Sequence, residues 1–108
     1  GLEVEREVCE QEQGGHADES ETSCMLAIRP DLVDMSEAPT DFNKTLVGTQ
    51  VDGVLKVAVA GKMSTPSGTH GDASLADAEK GRRILDAMET DLLTFLESFP
   101  YAELPTSS

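Results

Sequence analysis

The side chains best able to do chemistry are gathered in one run, His16-Ala17-Asp18-Glu19-Ser20-Glu21-Thr22-Ser23, directly after Gly14-Gly15. An imidazole and a carboxylate three residues apart, as His16 and Glu19 are, converge on one ion or one water wherever the chain is helical or turned. A helix N-terminus favours carboxylates by about 0.3–1 kcal/mol each, and for Asp18 this structural role is the simpler reading. A metal would still need a third and fourth ligand from elsewhere. The other histidine, His70, sits in a glycine-rich loop and reads equally well as an exposed turn residue. Cys9 and Cys24 have no histidine beside them in sequence to activate a thiol, so they read as small buried or half-buried residues rather than nucleophiles. The sequence has no C-x-x-C pair, no G-x-S-x-G elbow and no Walker loop.

These residues must be held by the elements around them. Leu2 to Val8 alternates apolar and charged positions, with Arg6 breaking the set, and predicts a strand with one exposed face, although its glutamates also favour helix. After Gly14-Gly15, a short helix is expected from Asp18 to Ile28, opened by an Asp18/Glu21 capping box and stopped by Pro30. Pro30 to Gln50 is turn-rich and predicts a long irregular connection. Val54-Leu55-Lys56-Val57-Ala58-Val59-Ala60 reads as a strand near a sheet centre. Ser64 to Asp72 is a loop by composition, with Asp72 or Ser74 able to cap the next helix. That final helix is expected from about Ser74 to Ser98. It places Ile84, Leu85, Met88, Leu92, Phe95, Leu96 and Phe99 on one face, and Pro100 ends it. Gly81 inside the helix costs about 1 kcal/mol relative to alanine, which points to close packing there. The tail from 101 to 108 is expected to be flexible.

Composition narrows the function classes. The chain has 108 residues, with 8 Lys+Arg against 21 Asp+Glu, so its formal net charge is 8 − 21 = −13. That charge repels phosphate backbones and anionic headgroups, which argues against nucleic-acid and membrane-surface partners. No apolar run approaches the roughly 20 residues of a membrane helix. A solvated acidic surface and an adaptation to high salt both account for the acidity. Two cysteines are too few for a secreted disulfide framework, and no signal-peptide pattern opens the chain, so a cytoplasmic setting is expected. Opening on Gly1 rather than Met, the chain reads as truncated, processed or preceded by another segment.

The run from His16 to Ser23, followed by Met25-Leu26-Ala27-Ile28-Arg29-Pro30-Asp31-Leu32-Val33, resembles the H-A-G-E-x-E-T-S…M-L-A-x-x-P-x-L-V signature of the creatininase family. A second block, from Thr65-Pro66-Ser67-Gly68 through Glu79-Lys80-Gly81, is similar to that family's T-x-x-G-v-x-G-x-P-x-x-A-x-x-E-K-G stretch. Two motifs in order, spanning about residues 15–99, make chance agreement a poor explanation.

The resemblance implies an α/β chain, part of a three-layer α/β/α sandwich, assembled into a hexamer or similar homo-oligomer. It also implies Zn or Mn ions and a metal-activated water that hydrolyses a cyclic or linear amide C–N bond. By motif match, His16 takes the place of the histidine that passes protons to the leaving nitrogen. Glu19 falls on the position that ligates metal in some members, and Glu21 on one that holds the histidine or substrate. Asp18 stands where the family usually has glycine. His70 stands where it usually has an apolar residue, and it is assigned no catalytic role.

The family's E-x-H…D segment and N-G-H-G-G-N loop do not occur in this sequence. Residues 1–100 therefore read as the C-terminal part of the domain, inactive alone and completed by an N-terminal half, on the same chain or another. The rival reading is an inactive remnant or assembly subunit whose long 30–50 connection serves oligomer contacts. An acidic α/β fragment with unrelated binding is a third.

Overall fold

The computed structural model describes residues 1–12, 14–42, 65–103 and 105. Three helices form its frame: α1, Leu2–Val8; α2, Glu19–Ile28; and α3, Ala78–Ser98. A two-stranded antiparallel pair joins β1, Thr40–Asp41, to β2, Gly71–Asp72, with Thr40 opposite Asp72 and Asp41 opposite Gly71. The described residues are thus mixed, mostly helix with little strand. The strand expected at 54–60 lies outside them, as do part of the 30–50 connection and half of the tail.

The first element corrects the sequence reading, because Leu2–Val8 is a helix and not a strand. The alternating pattern fails at Arg6. The four-residue step from Val4 to Val8 instead puts Val8 in the interior and Val4 half inside. Glu3 and Glu5 in the first turn and Arg6 in the last suit the helix dipole. α1 lies along α3, with Arg83 reaching Glu7 at 3.4 Å.

α2 begins as its capping signal demands. Asp18 is extended and its Oδ1 accepts from the Glu21 N–H at 3.0 Å. The reciprocal half of the box is displaced by one residue, since the Glu21 carboxylate accepts from the Ala17 N–H at 2.6 Å.

The expected start of α3 at Ser74 moves to Ala78. Asp72 caps a 3-10 turn, Ala73–Leu75, through the Ser74 N–H, and Ala76 is extended. Asp77 then caps α3 by accepting from the Lys80 N–H at 2.8 Å. The described part of the irregular connection holds two 3-10 turns, Pro30–Leu32 and Met35–Glu37.

Packing centres on the crossing of α2 and the first half of α3. Gly81 lies against the backbone of Ser23, so close that a Cβ on it would stand 1.9 Å from the Ser23 carbonyl oxygen. The buried Ser23 hydroxyl accepts from the Asp77 N–H at 3.1 Å, and Ile84 is 2 % exposed one turn further on. Beyond Ile84 the predicted apolar face is not covered by the described residues. Met88, Leu92, Phe95, Leu96 and Phe99 are all exposed, and Phe95 and Phe99 pack on each other at 5.4 Å between ring centroids. The periodicity foretold which residues share a face, but the described residues bury only its first turns.

Candidate active site

The loop from Gly14 to Asp18 leads into α2 and carries His16. It is pinned to the second motif block by backbone pairing. The His16 N–H donates to the His70 carbonyl at 3.2 Å and the His70 N–H donates back at 2.8 Å, an isolated antiparallel bridge. The two motif blocks of the sequence are therefore neighbours in space. Gly15 makes room for this, because a Cβ there would meet the His70 ring at 2.8 Å. On its other side the His70 ring meets Phe42 edge to face, 6.2 Å between centroids.

His16 itself is exposed, its imidazole available to a ligand from outside. The next residue, Ala17, has φ +47°, a left-handed conformation that costs a non-glycine residue about 1–2 kcal/mol. Two carboxylates hold it there. Glu21 grips the Ala17 N–H. Asp18, 5 % exposed, accepts from Gly15 N–H at 3.1 Å, Glu21 N–H at 3.0 Å and the Gln11 side-chain amide at 3.0 Å. Asp18, at the position where the resemblance led us to expect glycine, thus turns inward and ties the His16 loop to the turn after α1.

Gln11, which sequence reasoning passed over, is the hub of that tie. Its Oε1 accepts from the Asp72 N–H at 2.9 Å and the Glu19 N–H at 3.3 Å, while its amide donates to Asp18. Gly71 is where this hub crosses β2. Its φ of +142° suits glycine, and a Cβ would stand 2.5 Å from Asp18 Cβ and 2.6 Å from Gln11 Oε1.

Glu19 is fully buried. Its Oε1 accepts from Glu10 N–H at 3.0 Å and from Lys80 Nζ at 2.8 Å. Its Oε2 accepts from Glu10 N–H and Gln11 N–H, both at 2.8 Å. Lys80 spends its remaining donors on Glu10 at 2.7 Å and the Leu75 carbonyl at 2.8 Å. Burial alone lowers the Lys80 pKa, but the hydrogen bonds and charges of Glu10 and Glu19 outweigh it and hold the ammonium above the ordinary lysine range. Beside this cluster, burial first and then the charge of Glu19 push the Cys9 thiol up to about 12; burial raises Cys24 too. Both are free and half-buried, one of the two placements the sequence allowed.

A metal ion does not fit Glu19 in this arrangement, because N–H groups and an ammonium already face both of its oxygens. Among the described residues no three histidine, cysteine, aspartate or glutamate side chains are grouped to hold a metal. Of the three expected site residues, Glu21 of α2 reaches the His16 loop through the Ala17 N–H, while Glu19 is enclosed by Glu10, Gln11 and Lys80.

Two open cavities flank the loop. One, of about 420 Å³, is bordered by Arg6, Cys9, Gln11, Gly15 and Asp18; the other, of about 400 Å³, by Met25, Val33, Pro39 and Thr69. Glu21 borders both.

Comparison with known proteins agrees with the motifs. The model of the creatininase family, described as creatinine amidohydrolase, matches residues 2–96, and the chain belongs to that family. A crystal structure from Bacteroides fragilis, named "Putative creatinine amidohydrolase", superimposes with a TM-score of 0.75 at 28% identity, over 97% of this chain and 43% of that one. The chain thus spans less than half the length of that relative. The match runs over residues 2–96 and does not single out the C-terminal portion of the family domain that the motifs had led us to expect. No curated protein matches the chain in sequence. Among the described residues no helix is long and apolar enough to cross a membrane.

Proposed function

We propose that this chain supplies part of the active site of an amidohydrolase that cleaves a cyclic or linear amide C–N bond, within a three-layer α/β/α domain. The observation that carries the reading is the His16 loop. An exposed imidazole sits on a strained turn, next to a residue gripped by Glu21, in a chain that belongs to the creatininase family. His16 is the proton carrier to the leaving nitrogen. An imidazole titrates near neutrality, so one group can take a proton from water and return it to the amine. Glu21 keeps that imidazole in place by holding the adjacent backbone.

The Zn or Mn that the resemblance implies would activate the attacking water, and Glu19, with both oxygens already accepting, does not fit it as a ligand. In this reading the protein works in the cytoplasm, on a small amide, as a homo-oligomer or beside the segment that completes the domain. The test is turnover of a panel of cyclic and linear amides by the completed domain, read by mass spectrometry, with His16→Asn beside the wild type. Turnover that disappears with His16 supports the reading.

The exposed stripe from Met88 to Phe99 on α3 favours a second reading, a non-catalytic assembly subunit. Under it, the completed domain assembles normally and hydrolyses none of the panel.

A further inference from the structure

The arrangement around Glu19 says more than that one expected ligand is missing. An ionised carboxylate offers about four lone-pair sites, and four donor contacts at 2.8–3.0 Å meet them: Glu10 N–H on both oxygens, Gln11 N–H and Lys80 Nζ. The side chain is 0 % exposed, and every fully buried side-chain polar atom among the described residues has a partner. A Zn²⁺ ion bonds carboxylate oxygen at about 2.0–2.2 Å. To do so here it would have to displace the Lys80 ammonium or sit beside it, adding two positive charges to one already matched.

The same contacts lead to the histidine loop. Glu19 fixes the backbone of Glu10 and Gln11. Gln11, so placed, binds Asp18 and Asp72 N–H, and Asp18 holds the N–H groups of Gly15 and Glu21 on either side of His16. Lys80 brings the first turn of α3 into this chain of contacts from 61 positions away.

We propose that Glu19 is a positioning residue, not a metal ligand: with the half-buried Lys80 it forms an ion pair that sets Gln11 and Asp18, and through them the loop bearing His16. The pair and its linkage stand independently of any reaction. Their value to catalysis rests on the amidohydrolase reading.

The experiment uses the full chain as wild type, Glu19→Gln, Lys80→Met and the double variant. Urea unfolding, hydrogen exchange of the His16 amide by NMR, and uptake of added ZnCl₂ or MnCl₂ are read on each. Lys80→Met should lower the folding equilibrium at least 30-fold, since it leaves the buried Glu19 carboxylate without its cation; Glu19→Gln should lower it less, because Glu10 still pairs with the ammonium. The double variant should be no less stable than the worse single one. In Glu19→Gln the His16 amide should exchange at least tenfold faster than global unfolding accounts for, an excess that a purely stabilising pair does not produce. Metal uptake should stay within twofold of wild type.

A tenfold loss of metal uptake in Glu19→Gln overturns the proposal. So do single-variant effects that add in the double, or a His16 amide that follows global unfolding alone. Should a single variant not fold, the double variant decides, because it leaves no unmatched charge: folded with metal uptake unchanged it supports the pair, and folded with uptake lost it refutes it. None of these readouts needs turnover, so an inactive protein would sink the amidohydrolase reading and leave this one testable.

Discussion

Replacing Gly81 with alanine adds one methyl group at the closest approach of α2 and α3. The new Cβ would lie 1.9 Å from Ser23 O, 2.3 Å from Ser23 C and 2.8 Å from Cys24 N, all backbone atoms with no rotamer to escape into. Ordinary contact begins at 3.4 Å, so the helices must separate by about 3.4 − 1.9 = 1.5 Å. Overpacking of this kind costs about 1–3 kcal/mol. The shift also stretches the Ser23 to Asp77 bond at 3.1 Å and the Lys80 to Glu19 bond at 2.8 Å, worth about 1 kcal/mol each. Against this, alanine is a better helix residue by about 1 kcal/mol. The net expectation is a loss of about 2–4 kcal/mol. Urea unfolding followed by circular dichroism measures it, and with a slope of about 1 kcal/mol/M the midpoint falls by about 2 M or more. An unchanged or higher midpoint would mean that propensity wins, and the close crossing of α2 and α3 would be refuted.

Asp18→Ala removes a helix cap and leaves Gly15 N–H and the Gln11 amide without their acceptor. The loss should be about 2–4 kcal/mol by the same unfolding measurement. Lys80 has a folded pKa above its unfolded value of about 10.4. Its contribution is therefore fully present below that pH and fades as pH rises through the folded value. Stability measured from about pH 9 to 12 should fall along a limb that Lys80→Met lacks. The raised thiol pKa values predict that Cys9 and Cys24 react slowly with a disulfide reagent at about pH 8 in the folded protein and rapidly in denaturant. Equal rates in both conditions would contradict their burial.

What could be read in advance was local. The Asp18 cap, the span of α2 and most of α3 depend on residues within a few positions of one another, and a glycine inside a helical pattern signalled the close packing at Gly81 without naming Ser23 as its partner. α1 misled because a seven-residue segment of alternating character also satisfies a four-residue step, and burial of Val8 against neighbouring helices decided between the two. The enclosure of Glu19 was not legible for a related reason. A carboxylate in the first turn of a helix belongs by default at the surface, and nothing nearby announces that Glu10, Gln11 and Lys80 will enclose it. The one signal was Lys80 within the second motif block, a cation beside the glycine that lets α3 approach α2. The His16 to His70 pairing joins positions 54 apart in sequence, 70 − 16, and only the fold could bring them together.

The most direct test of the account is amide hydrolysis by the completed domain, wild type against His16→Asn, with folding checked by circular dichroism. The account predicts turnover in the wild type and a loss of about 10²–10⁴-fold in kcat in the variant, the range of a lost general acid or base. Equal turnover in both proteins, or none in a folded wild type, would contradict it.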